Sequence, residues 1–397
     1  MNKTYISRKE YIEQIQNYKN TDLIKVLIGQ RRVGKSYILI ELIDTLKRSG
    51  VREDEIIFIN KEDLEWDMIK NYADLYERVK DHRYIFIDEI QDITDWEKAI
   101  RSLQSSGGHD IYITGSNSNL LSSELSTFLS GRYVSFYIQP LNYTEFLTFH
   151  DIKDSEESFL KYIKFGGLPY LKNLKLEEEI VYGYLKDVVN TILLKDVISR
   201  NKIRNIEFYR NLIIYLASEV GSIFSAKSLS DYLKNQKIGL SPNVVLNYLE
   251  NSVHASFLNK ISRYDLKGKR LFEILQKYYF TDIGIRNVLV GGYSKIHISG
   301  ILENVVYCNM ISHGWEVTVG EYGEKEVDFV CRKNGNIMYL QVAYLLESEK
   351  TRKREFSALQ SIPDSWKKYV ITMDIGASGS IDGIAWVNIR DFLLRVL

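Results

Sequence analysis

The sequence predicts an α/β protein: a parallel sheet around a phosphate-binding loop, followed by a helical segment and further domains. Three observations carry this reading. Short apolar runs at 23–28, 56–59, 85–87, 111–114 and 133–138 alternate with helical patterns, the layout of buried parallel strands covered by helices. Between the first run and a helix-like stretch from Tyr37 lies Gly29-Gln30-Arg31-Arg32-Val33-Gly34-Lys35-Ser36, a P-loop in its proper setting. Further on, the run Tyr84-Ile-Phe-Ile87 ends in two carboxylates, Asp88 and Glu89.

Each element has a chemical reason. The glycines let the backbone wind into a nest whose N–H groups, with the positive end of the next helix, point at phosphate oxygens. Residues Gly29 through Tyr37 are therefore the candidate nucleotide contacts, with Lys35 bridging the β- and γ-phosphates and Ser36 holding Mg²⁺. Asp88, at the carboxyl end of its strand, is placed to hold Mg²⁺ through water, and Glu89 to polarise an attacking water. The run 111–114 leads into Gly115-Ser116-Asn117, which either delivers polar side chains near the γ-phosphate or makes a turn that needs small residues.

Composition narrows the class. The 397 residues allow two to four domains, and equal numbers of basic and acidic residues, 52 each, confine any basic surface to a region. Two cysteines, Cys308 and Cys331, build neither a disulfide framework nor a zinc site. No stretch approaches the about 20 apolar residues that span a bilayer, and the first residues carry no signal core, so a cytoplasmic protein without membrane partners is expected.

Residues 142–205 read as helical, interrupted by the turn Phe165-Gly-Gly-Leu-Pro169. Residues 206–290 give short helices, a strand at 257–264, a turn at Lys267-Gly-Lys269 and an apolar run at 271–280, the outline of a winged helix-turn-helix. Ser241 and Pro242 suit the start of its second helix. This stretch holds 11 Lys or Arg against 7 Asp or Glu, and Lys260, Arg263, Lys267, Lys269 and Arg270 gather around the wing, where phosphate contacts fit. The second helix carries Glu250 and no basic residue, so intramolecular or protein contacts are the alternative. From about 295, a helix at 301–313 and strands at 315–319, 327–331, 337–343, 369–372 and 384–387 indicate another α/β domain. Glu303, Asp328 and Gln341-Val-Ala343 follow the layout of a PD-(D/E)xK nuclease, with Gln341 and Ala343 standing where an acid and the lysine belong. Such a scaffold is expected to be inactive unless Lys325 or Lys350 substitutes.

The motifs Gly29–Ser36, Phe86-Ile-Asp88-Glu89-Ile-Gln91, Thr114-Gly-Ser-Asn117, Leu129-Ser-Gly131-Arg132, Pro140-Leu141 with Glu145-Phe-Leu147, and Phe165-Gly-Gly-Leu-Pro169 resemble bacterial and archaeal AAA-type ATPases that carry a C-terminal DUF4143 domain. The resemblance implies strand order 5-1-4-3-2, ATP as the nucleotide, a sensor at Ser116 or Asn117 and a helical lid over the adenine. It also implies Arg132 as an arginine finger or γ-phosphate sensor, a surface arginine paired with an acid being the alternative. Arg8 matches a stretch that flanks adenine, and Lys195, Asp196 and Arg200 are candidates for a second sensor.

The expected organisation is an ATPase core at 1–148, a lid at 149–205, a winged helix-turn-helix at 206–290 and a nuclease-like domain at 291–397. The expected activity is ATP hydrolysis with Mg²⁺, used as a switch or motor, with Glu89, Lys35, Ser116, Asn117 and Arg132 as catalytic groups. Duplex DNA and further copies of the chain are candidate partners. Two alternatives are a nucleic-acid-binding regulator for which ATP is only a ligand, and an ATP-gated nuclease, against which Ala343 argues.

Overall fold

The computed structural model describes residues 6–115, 129, 131–201, 203–235 and 241–395. They fall into two compact units, Met1–Gln139 with His254–Ser256, and Pro140–Val253 with Phe257–Leu397.

The first unit is the predicted parallel sheet. Strands β1 (Ile24–Ile28), β2 (Ile56–Asn60), β3 (Tyr84–Asp88), β4 (Asp110–Gly115) and β5 (Tyr133–Tyr137) lie in the order β2-β3-β4-β1-β5, all parallel. This matches the order the resemblance implied. The central strands are apolar throughout because helices cover both faces; Ile28, Ile87 and Ile113 lie in one core with Leu103 and Trp96 of the helix Trp96–Ser106. A buried ion pair interrupts the apolar run. Lys25, in the middle of β1, sits 2.5 Å from Asp110, which also accepts a hydrogen bond from the Tyr112 hydroxyl.

The second unit is organised around one large sheet. Its nine-stranded sheet runs β13-β14-β12-β11-β10-β9-β7-β8-β6. Here β6 is Ile223–Phe224, β7 Leu258–Asp265, β8 Arg270–Phe280, β9 Glu316–Tyr322, β10 Lys325–Lys333 and β11 Asn336–Val342. Strands β12 (Lys367–Thr372), β13 (Ser378–Ile381) and β14 (Ile384–Asn388) complete it. Because β7 pairs in parallel with β9 from Arg263↔Val319 to Asp265↔Glu321, the hairpin read as a wing continues the C-terminal sheet. No gap between compact units falls at 290/291. Nor do the helices after Asn142 stand apart: Tyr143, Phe146, Phe159 and Tyr162 share one core with Ile301, Leu302, Phe329 and Phe392.

The Phe165-Gly-Gly-Leu-Pro169 turn has a packing reason. Gly166 has φ +79°, and a Cβ there would meet the Asp282 carboxylate at 2.3 Å. Asp282 caps the helix Ile283–Leu289 through Ile285 N–H and accepts Gly167 N–H at 2.7 Å. The same helix places Asn287 on the carbonyls of Ile163 and Lys164 and Arg286 on that of Ala217, so it ties the ends of two other helices.

Candidate functional site

The loop from Gly29 to Gly34 joins β1 to the helix Lys35–Arg48. Gly29 (φ +156°) lies so close to Ile138 that a Cβ would stand 2.2 Å from its carbonyl oxygen; no side chain fits. Arg32 and Gly34 also have positive φ, which turns successive N–H groups inward as a nest does. Val33 and Gln30 are buried, Arg31 reaches Glu62, and Arg32 and Tyr37 are exposed. Lys35, buried at the helix start, arches back over the loop and donates to the carbonyls of Gly29 at 2.9 Å and Gln30 at 3.2 Å. Phosphate oxygens would compete for the same ammonium protons.

Opposite the loop the sheet supplies acids. Asp88 ends β3 and accepts hydrogen bonds from the hydroxyls of Ser36 and Thr114. Burial raises its carboxyl above the ordinary range against those two bonds. Ser36 and Asp88 thus present adjacent hard oxygens, a donor pair suited to Mg²⁺ completed by phosphate and water. Glu89 leaves the strand in a left-handed conformation (φ 54°, ψ 51°), donates its N–H to Thr114 Oγ1 at 3.1 Å, and holds its carboxylate on the Gln91 amide. This strained turn separates the two acids: Asp88 faces the hydroxyls, while Glu89 is steered by Gln91.

Two contributors are not among the expected catalytic groups. Thr114 links both acids, since β4 neighbours β3 and brings its last residues beside Asp88. Its position in the Thr114–Asn117 motif was the available signal. Arg8, read as an adenine neighbour, is buried with its guanidinium on the carbonyls of Val33 at 3.3 Å and Gln139 at 2.7 Å, bracing the loop from behind.

Other candidates lie elsewhere. Ser116 and Asn117 fall outside the described residues. Arg132 is exposed just before β5, and its carbonyl accepts the N–H of Ile24 at the amino end of β1. The loop follows the other end of that strand, roughly 16 Å away along its length, so within its own chain Arg132 does not approach the loop. In the second unit, Lys195, Asp196 and Arg200 lie in or beside a wide-turn helical segment, Ile192–Ser199, where Asp196 is buried 3.8 Å from Arg200. Of the wing residues, Lys260 is paired with Glu250, Arg263 with Glu321 and Arg270 with Asp265; Lys267 and Lys269 are exposed at the turn. Of the two lysines considered as nuclease substitutes, Lys325 donates to the Ser357 carbonyl and Lys350 is exposed on the helix Glu349–Gln360.

Comparison with known proteins agrees with this geometry. The AAA domain family matches residues 21–147. Residues 156–295 match a domain of unknown function, DUF8612, a different one from the expected DUF4143, and the match extends across the expected boundary at 205/206. An uncharacterised protein of Haemophilus influenzae is 33% identical over 406 residues, covering 100% of both chains. An uncharacterised protein of Methanocaldococcus jannaschii is 33% identical over 361 residues, covering 85% of this chain and 78% of its own. Among solved structures, a Walker-type ATPase of Pyrococcus abyssi superposes with TM-score 0.50 at 14% identity over 72% of this chain and 97% of its own, a likeness of fold. None of the helices among the described residues is long and apolar enough to cross a membrane.

Proposed function

We propose that this chain, which belongs to one family with the uncharacterised Haemophilus and Methanocaldococcus proteins and carries an AAA-domain match at 21–147, binds and hydrolyses ATP with Mg²⁺ and uses the cycle to move its second unit. The observation that carries this reading is the meeting of Lys35, Ser36, Asp88, Thr114 and Glu89 at the carboxyl ends of β1, β3 and β4.

Each side chain has work to do. Nest N–H groups and Lys35 bind the β- and γ-phosphates, the ammonium exchanging its two carbonyls for charged oxygens. Ser36 and Asp88 would hold Mg²⁺, which supplies charge neutralisation on the β/γ oxygens. Glu89, oriented by Gln91, takes a proton from the attacking water as its oxygen bonds to the γ-phosphorus and the bond to ADP breaks. Thr114 fixes the spacing of the two carboxylates. Arg132 acts, in this reading, only from a second copy of the chain, which makes a homo-oligomer part of the proposal.

The elements Ile206–Ser218, Ala226–Asn235, Pro242–His254 and the β7–β8 hairpin support a winged-helix reading of the middle segment, and the order of helix Ile298–Ser312 and strands β9–β11 supports a nuclease-like one. Exposed Lys267 and Lys269 favour the second reading, a nucleic-acid-binding regulator with ATP as ligand. Phosphate release by wild type and Glu89→Gln, with and without duplex DNA, separates the two. We expect turnover that falls at least about 100-fold in Glu89→Gln while nucleotide binding persists. No wild-type turnover, with or without DNA, would reject hydrolysis and leave the regulator.

A further inference from the structure

The C-terminal acids that sequence patterning associates with a metal already surround a cation. Lys277 of β8 is buried, with its Nζ 2.8 Å from Glu326 Oε1 and 3.4 Å from Glu303 Oε2. Glu303 comes from the helix Ile298–Ser312 and also accepts the Tyr279 hydroxyl at 2.7 Å. Asp328 of β10, equally buried, accepts the Val342 N–H at 2.7 Å. Beyond it, Gln341 accepts the Asp328 N–H and donates to Glu355, which Arg354 holds at 2.9 Å. Ala343, where a nuclease lysine would stand, is packed with Leu346 and Phe356 in an apolar cluster.

We propose that Lys277 is the resident cation of this carboxylate cluster, standing where a divalent metal would be expected, and that it locks the 258–280 hairpin to the C-terminal sheet. Three observations carry the lock. The ammonium lies within ion-pair distance of carboxylates from two different elements, so a metal drawing on both would have to displace it. Among the described residues, no three His, Cys, Asp or Glu side chains are grouped to hold a metal. Finally, β7 is hydrogen-bonded to β9, so the hairpin carrying Lys277 is joined to the acids by backbone as well as charge.

The electrostatics agree. Burial alone would lower the Lys277 ammonium, but Glu303, Asp328 and Glu326 together hold it above its ordinary value. Burial raises the Asp328 carboxyl, and the neighbouring Glu303 raises it further; burial also raises Glu303. One amine thus serves three carboxyls, and the set depends on it. Removing one partner of such a buried group costs far more than an exposed pair is worth.

This inference stands apart from the ATPase reading, because its test needs no nucleotide. Full-length Lys277→Met should lose about 10 °C in Tm at pH 7 and show faster deuterium uptake across 258–280. That loss should shrink as pH falls, because the raised carboxyls of Glu303 and Asp328 take up protons and their mutual repulsion is relieved, whereas a simple packing loss would not depend on pH. Should Lys277→Met fail to fold, the double variant Lys277→Met with Glu303→Gln should fold and recover part of the Tm. Mn²⁺, titrated into nucleotide-free wild type, should show no binding that Asp328→Asn removes. An unchanged Tm in Lys277→Met, a deficit indifferent to pH, or Mn²⁺ binding lost in Asp328→Asn would each overturn the proposal.

Discussion

Two buried lysines, Lys35 and Lys277, stand beside carboxylates, and they differ in what holds them. Lys35 is tied by carbonyl oxygens of its own loop, neutral partners that an anion can outbid. Lys277 is tied by carboxylates from a helix and a strand, partners that an anion would have to repel. The first site is poised to exchange partners and the second is closed on itself. A lysine with acids nearby is therefore not by itself a sign of chemistry; the charge of its direct acceptors decides whether a ligand can enter.

The contrast breaks if the two lysines behave alike on removal. Lys35→Ala should keep a Tm near wild type but lose about 100-fold or more in ATP affinity, since charge-assisted contacts to phosphate are worth about 3 kcal/mol. Binding seen by calorimetry and the ATP-induced rise in Tm should both vanish. If Lys35→Ala instead unfolds the protein while still binding ATP, the first site is structural and the comparison fails.

Asp282 sharpens it, as a buried acid held by backbone N–H groups. Burial pushes its carboxyl up to about 6 although Gly167, Ile285 and Gly284 backbone N–H groups donate to it. A folded value above the unfolded one means that folding takes up a proton between about 4 and about 6. Its contribution is whole below that window and is lost as pH rises through it, by about 3 kcal/mol at most. Denaturant titrations at several pH values should show that slope in wild type and not in Asp282→Asn.

The smallest effect belongs to the exposed turn. Lys267→Ala with Lys269→Ala should change stability by less than about 0.5 kcal/mol, because neither side chain is buried. Any loss of DNA-stimulated turnover in that variant would then report phosphate contacts and not folding, whereas unchanged stimulation would remove the turn from the nucleic-acid reading.

Legibility followed the locality of the interactions. All five strands of the first sheet were readable as short apolar runs between helical patterns, most plainly the three central ones, whose residues are buried along their whole length. The loop and both acids were readable because eight consecutive residues and one strand end carry them. The bracing contacts of Arg8 were not readable, because its partners, Val33 and Gln139, are brought to it only by the fold. The hairpin was found within a residue or so of its ends, at Leu258–Asp265 and Arg270–Phe280, yet nothing local announced that β7 pairs with β9. Lys277 was counted in the basic excess of the middle segment. Only the sheet reveals that it is buried among Glu303, Glu326 and Asp328.

The join between β7 and β9 also bears on how the chain is made. Synthesis delivers the hairpin before residues 316–322, so the flank of β7 waits with unpaired backbone groups and Lys277 waits for its acids. A nascent chain stopped near residue 295, where the DUF8612 match ends, would expose that flank and a stranded amine together. The flank of β7 and the Lys277 amine thus find their partners only once β9 and Glu326 have emerged, while all five strands of the P-loop sheet are in hand as soon as β5 is complete.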